Sequence, residues 1–356
     1  MTIILFVITL SILILIHEWG HFYAAKKFRV RVDEFGFGFP PKIASTFKNG
    51  TQYVLNLFPI GGYVKIYGEG GEGKGEKHSF ASKPVWQRAL IVAAGVIMNM
   101  VLAWVLLTGS HLVGISQVVK DGESTEGANV TIIAVEKDSP AEQAGIKFGD
   151  SVKMFVTKDT YYNVHTIEIL QQFISLHAGE EIGLILERNG ETRPIVVRPR
   201  ENPPEGSGPL GIALDYVKIE KSPWYRAPWD GLKSTYIATK NIFIGFGEVI
   251  RNLVTEQKVP QELSGPVGVF MFTKDISELG LSYFFQFISI LSINLAILNL
   301  LPIPALDGGR LLFLAIEKVR GRPVHQKFEG AAHAIGFFLL ILLMILVTVR
   351  DIRNLF

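Results

Sequence analysis

The 356-residue chain contains no cysteine. Disulfides and thiolate metal ligands are therefore excluded, so any metal must be held by histidine and carboxylate. Charge is scarce as well, at 19% of residues against about a quarter in an ordinary soluble protein. It is missing altogether from Met1 to Ile16, Ala89 to Val113, Leu281 to Leu306 and Ala331 to Val349. Uncharged runs of this length argue against a water-soluble globule and read as four membrane spans. The first run lacks a basic start and a small-residue cleavage site, and is expected to stay in place as a span. A net charge of +2 gives no electrostatic reason for a nucleic-acid partner. The lipid bilayer is the partner that the composition requires.

What charge there is sorts the loops. Lys26 to Arg88 holds eleven Lys/Arg against five Asp/Glu, and Gly308 to His333 holds five against two. The long stretch from Gly114 to Gly280 reverses the balance, with seventeen against twenty-three. By the positive-inside rule the first two segments face the cytoplasm, while both termini and the middle region lie outside it.

At the end of the first run stands His17-Glu18-Trp19-Gly20-His21. On a helix, positions i and i+4 share a face, so both imidazoles can reach one metal ion. Glu18 can take a proton from water activated there. Two histidines leave a catalytic site one protein ligand short. Asp307 is the only acidic residue bordering the third run on the same predicted side, just after Pro302 and Pro304 break the helix. It is the economical third ligand. The other six histidines, His333 among them, have no partner at ligand spacing and read as surface or interface residues.

Between the first two runs, the stretches near Phe35 and from Tyr53 to Ile66 are short, apolar and broken by Gly and Pro, as in a small sheet or hairpin. They are expected to dip toward the membrane. Thr131 to Val217 reads as a separate domain. Ser139 caps a short helix begun by Pro140, a second helix covers Ile167 to Leu176, and Asn189-Gly190 turns a hairpin. Near its end, backbone amides around Leu210, Gly211 and Ile212 are candidates to bind a peptide carboxylate beside a strand-accepting edge. Trp224 to Val254 is aromatic, helical in pattern and basic, and reads as an interfacial amphipathic helix.

Together, the H-E-x-x-H motif, Asn299-Leu300-Leu301-Pro302-Ile303-Pro304-Ala305-Leu306-Asp307-Gly308-Gly309 and the middle domain resemble the site-2 protease family of intramembrane zinc metalloproteases. The resemblance is greatest to its bacterial RseP-like branch, regulator of sigma-E protease. It implies one catalytic Zn2+ on His17, His21 and Asp307, Glu18 as acid/base, and Asn299 in substrate binding or oxyanion stabilisation. It also implies a PDZ fold for the middle domain, single here where the namesake has two. Gly61, Gly62, Tyr63 and Val64 resemble the family's re-entrant β-element, which presents substrate as an added strand.

The expected fold is then a multi-pass α-helical membrane protein of four transmembrane helices. A membrane-associated β-hairpin or sheet and an inserted extracytoplasmic α+β PDZ domain complete it. Spans fall at 1–25, 89–113, 281–307 and 331–349. The β-region occupies 26–88, the PDZ domain with its linker 114–217, the interfacial helix 218–280 and a cytoplasmic loop 308–330. The expected activity is regulated proteolysis of transmembrane segments of single-pass proteins, anti-sigma factors or remnant signal peptides, by a monomer in a bacterial inner membrane. The alternative is a membrane-anchored PDZ scaffold with a structural metal, but structural zinc sites are normally closed by four protein ligands and only three are present.

Overall fold

In the computed structural model, residues 2–119, 122, 124–157, 160–255 and 265–353 are described. In chain order, α1 (Thr2–Lys27) leads into strands β1 (Val32–Lys48) and β2 (Thr51–Ile66), then α2 (Val85–Val113). A middle region follows with β3 (Ile115–Val118), β4 (Asn129–Val135), α3 (Pro140–Gln143), β5 (Ser151–Thr157) and β6 (Thr160–Asn163). It continues with α4 (Ile167–Leu176), β7 (Ile182–Arg188), β8 (Glu191–Val197) and β9 (Ile212–Glu220). Five helices complete the chain: α5 (Ala227–Thr255), α6 (Pro266–Ser277), α7 (Leu281–Leu300), α8 (Asp307–Arg320) and α9 (Gln326–Arg353). The chain divides into two compact units, one from Met1–Thr108, Pro228–Thr273 and Phe285–Phe356, the other from Gly109–Ala227 and Lys274–Phe284.

In the first unit, α1, α2, α7 and α9 are each long and apolar enough to cross a membrane. Most of α9 faces outward as bare Phe and Leu, a surface suited to lipid and not to water. A small core of Ala25, Val30, Val32, Ile66, Ile91, Val92 and Leu314 joins the end of α1, the base of the hairpin, α2 and α8. Arg88 on α2 forms a two-pronged ion pair with Glu317 on α8. These contacts fix the hairpin base beside α1. Farther out, Phe39, Ile43, Phe47, Leu57 and Phe58 stay exposed, an apolar ribbon that would be costly in water. Its Pro59 carbonyl accepts a hydrogen bond from Ser11 on α1.

The β1–β2 pairing is more elaborate than a simple hairpin. Glu34 to Phe37 lie opposite both Gln52 to Leu55 and Gly62 to Lys65, because β2 turns back around Phe58 to Gly61. Gly61 has φ of +92°, which the turn requires. Among the described residues, Gly62 to Ile66 is thus paired on one edge only.

Three elements differ from the sequence reading. Residues 308–330, expected as a loop, begin with helix α8, since Asp307-Gly308-Gly309 reads as a turn in isolation but here packs tightly against the Leu300 and Leu301 carbonyls. Spans α2 and α9 begin earlier, at Val85 and Gln326, because charged residues at the interface extend them by a turn. Helix α5, by contrast, does not depart from that reading: it packs Ala238, Ile242 and Phe246 against Ala103, Ile293 and Ile297 of α2 and α7, while Trp229, Tyr236 and Phe243 remain exposed.

The second unit is a seven-stranded sheet in the order β3-β9-β4-β5-β7-β8, with β6 on β5, covered by α3 and α4. Alternation along β7 buries Ile182, Leu184 and Leu186 under Leu170, Phe173 and Ile174 of α4. Ser139 accepts from the Glu142 amide as a helix cap, and Asn189 and Gly190 both take positive φ in the hairpin turn. Arg188, 4% exposed, grips fully buried Asp150 with Nε and Nη2 at 2.5 and 2.7 Å. Replacing Arg188 with Met strands that carboxylate, at a cost of about 3–5 kcal/mol to this unit. Thermal unfolding of the intact protein should register the loss, and Arg188→Met with Asp150→Leu should recover most of it.

Candidate metal centre

One helical turn of α1 places His17 and His21 on the same buried face, their Nε2 atoms 3.2 Å apart. Asp307 reaches them from the first residue of α8, its Oδ2 3.0 Å from His17 Nε2 and 3.1 Å from His21 Nε2. Leu306 ends an irregular stretch after α7 in extended conformation, and this is how Asp307 comes to point back at α1. Among the described residues these three form the cluster able to hold a metal ion.

The donor set suits zinc. Bonds of about 2.0–2.1 Å to one tetrahedral centre separate neighbouring ligand atoms by roughly 3.3 Å, close to the triangle seen here. Asp307 Oδ2 is buried yet has no hydrogen-bond donor of acceptable geometry, as befits an oxygen shaped for a cation. The second ring nitrogens are also arranged for ligation. His21 Nδ1 lies 2.9 Å from the Ile91 carbonyl, so it carries the proton and leaves Nε2 bare.

Asn99 on α2 does the same for His17, its side-chain amide 3.2 Å from Nδ1. With the amide nitrogen facing the ring, Asn99 Oδ1 is left buried without a partner. Turned by 180°, the oxygen accepts Nδ1–H, and His17 Nε2 is freed for a metal. Asn99 is itself fixed, because its carbonyl accepts from Ser292 on α7 at 2.8 Å. One turn earlier, Gly95 lets α2 lie directly on the ligands. A Cβ there would sit 2.5 Å from His21 Nε2 and 2.8 Å from His17 Nε2.

Glu18 projects into a cavity of about 500 Å3 that His17, His21, Tyr63, Asn299 and Arg310 also line. The hairpin strand runs beside the Glu18 carboxylate, with Tyr63 and Val64 lining the same cavity. Arg310, one turn along α8 from Asp307, contacts Glu69 of the Gly-rich loop. Of the sequence-selected residues, His17, Glu18, His21, Asp307, Asn299, Tyr63 and Val64 thus gather around one space. Gly62 approaches the Glu18 side chain, and Gly61 occupies the turn before it.

Leu210, Gly211 and Ile212 belong to the other unit. Leu210 is buried, the Gly211 amide is already bonded to the Gly208 carbonyl at 3.0 Å, and Ile212 opens β9 opposite Val135. Sequence reasoning gave Asn99 and Gly95 no place in the site and read His333 as a surface or interface residue, whereas His333 lines the cavity. Asn99 carried a readable signal, as a polar side chain within an otherwise uncharged span.

The profile of Peptidase family M50 matches residues 5–343 of the chain. Zinc metalloprotease RasP of Oceanobacillus iheyensis is 32% identical over 446 aligned positions, covering 100% of this chain and 99% of the relative. Zinc metalloprotease RasP of Geobacillus kaustophilus is 31% identical over 433 positions, covering 100% and 98%. The regulator of sigma-W protease RasP of Bacillus subtilis is 31% identical over 435 positions, covering 100% and 99%.

Support from α2 predicts a measurable effect on metal binding. Asn99→Ala should weaken zinc affinity by about 10–100-fold, the usual cost of losing a group that orients a ligand. Gly95→Ala should do at least as much by pushing the ligand nitrogens apart. Chelator competition on the purified protein reads both, and wild-type affinity in the two variants would remove α2 from the site.

Proposed function

The chain belongs to peptidase family M50, the site-2 proteases, and we propose that this zinc metalloprotease cuts single-pass membrane proteins within their transmembrane segments. The observation that carries the proposal is the position of His17, Glu18 and His21 on the spanning helix α1 and of Asp307 at the start of α8, beside a strand with an open edge. His17, His21 and Asp307 would hold the zinc and leave a position free for water or substrate. Zinc in such a site supplies Lewis-acid activation of water and polarisation of the scissile carbonyl.

The chain's own residues do the rest. Glu18 removes a proton from the attacking water and returns it to the leaving amine. Gly62 packs close to that side chain, which faces the cavity. Asn299, on the last turn of α7, supplies a side-chain amide to the oxyanion that develops on the carbonyl. A transmembrane helix hides its carbonyls in its own hydrogen bonds, so a substrate must unwind before it can be cut. The open edge of Gly62 to Ile66 can take the unwound segment as an added strand and replace the bonds it gave up.

The substrates on this reading are anti-sigma factors or signal-peptide remnants, as the RasP relative named for sigma-W regulation suggests. Both termini and the second unit lie outside the cytoplasm, and the metal faces its cytoplasmic side. The second unit acts as a PDZ-type domain that binds or filters the outer part of the substrate. Support comes from β9, where Val217 to Glu220 pairs with β3 but Ile212 to Asp215 pairs only with β4 among the described residues.

Reconstituted in lipid vesicles with a single-pass substrate of short outer segment, the protein should cut inside the span, as mass spectrometry of the products will report. Glu18→Gln should keep its zinc and lose roughly 10²–10⁴-fold in rate. His21→Ala and Asp307→Ala should lose the metal itself by elemental analysis. Undiminished turnover by Glu18→Gln, or cuts confined to soluble segments, would overturn the proposal.

A further inference from the structure

Asp307 is aimed by the short irregular segment that precedes α8. Its N-cap, Leu306, makes no side-chain capping bond. Two residues before Asp307, Ala305 takes φ of +84°, a left-handed conformation that is unfavourable for a non-glycine residue and persists only when its surroundings enforce it. The enforcement comes from α9. The Ala305 amide donates to His333 Nδ1 at 2.8 Å. One turn later, Gly336 lies so close that a Cβ would overlap the Pro304 carbonyl oxygen.

The ring's geometry sets its role. An Nδ1 that accepts a hydrogen bond carries no proton and has its lone pair committed, so His333 does not ligate through it. The proton is then on Nε2, which is buried without a protein partner. The ring also packs at 5.6 Å against Phe313 of α8, one turn and a half beyond the ligand. His333 therefore touches the segment on both sides of Asp307.

We propose that His333, backed by Gly336, is a positioning residue for the metal centre. It holds Ala305 in its strained conformation and so directs the Asp307 carboxylate at His17 and His21. The last span thus serves as a clamp on the third ligand. This inference rests on the reading of those three residues as the zinc ligands.

The test uses the full-length protein purified in detergent, titrated with zinc against a chromophoric chelator. His333→Phe keeps the ring but removes the acceptor, and should lower zinc affinity about 10–100-fold. His333→Asn places a carbonyl oxygen near the Nδ1 position and should restore most of that affinity. In the cobalt-substituted protein, His333→Phe should shift the visible ligand-field bands while His333→Asn keeps them near wild type, a signature that loss of packing alone would not reproduce. Wild-type affinity and spectrum in His333→Phe would overturn the proposal, as would equal losses in the two variants. Asp307→Ala separates the premise from the inference. If it retains full zinc affinity, the ligand assignment fails; if it loses zinc while His333→Phe does not, only the clamp fails.

Discussion

Every other arrangement in the first unit answers to the convergence of His17, His21 and Asp307, three ligand atoms within 3.2 Å of their neighbours. Two come from one turn of α1 and the third from a residue 286 positions later. Bringing a carboxylate that close to two imidazoles inside an apolar bundle is unfavourable unless a cation or ordered protons compensate. The bundle is therefore organised to hold the triad without filling it. Gly95 brings α2 against the ring edges, Asn99 and the Ile91 carbonyl fix the two rings, and the Arg88–Glu317 pair ties α2 to the helix that starts at Asp307.

The same constraint explains where the chain departs from regular structure. Pro302 and Pro304 stop α7 short and Ala305 adopts positive φ, so that α8 can start with its first side chain facing backward. Free backbone groups in this stretch would be costly at membrane depth, and they are met locally: the Ile303 amide by Leu301, the Leu306 amide by Ile303, and the Ala305 amide by His333. Irregular backbone is tolerated here because it borders a cavity, which Ala305 and Leu306 line.

Much of this was legible in the sequence for reasons that are local. The i, i+4 spacing of His17 and His21 is a property of any helix, and Asp307 stood out as the lone acid at the edge of an uncharged run. Helix α8 was not legible. Two glycines in its first turn cost about 1 kcal/mol each in an isolated helix, and only the close approach of the Leu300 and Leu301 carbonyls to Gly308 and of the Ile303 carbonyl to Gly309 makes them necessary. His333 was missed because its partner is a backbone amide 28 residues away, which no spacing rule encodes. The doubling back of β2 was hidden similarly, since the pairing of residues 34–37 with two stretches of one strand depends on a turn around Gly61.

A protein made mainly of spanning helices has no evident need for a β-element at its centre. Helices satisfy their own backbone groups and have none to offer a guest. A substrate span unwound for cleavage would expose several amides and carbonyls at once, each costing kilocalories if unmet in an apolar setting. On the proposed reading, only a strand with an unpaired edge can meet them in series, and Gly62 to Ile66 provides one within reach of Glu18. The apolar outer part of the ribbon, with Phe39, Phe47 and Phe58 exposed, then has a reason as well. It would keep the edge at membrane depth, where an unwound helix has no competing solvent to bond to. On that reading the metal site would supply the chemistry, and the sheet edge would make the buried peptide bond available to it.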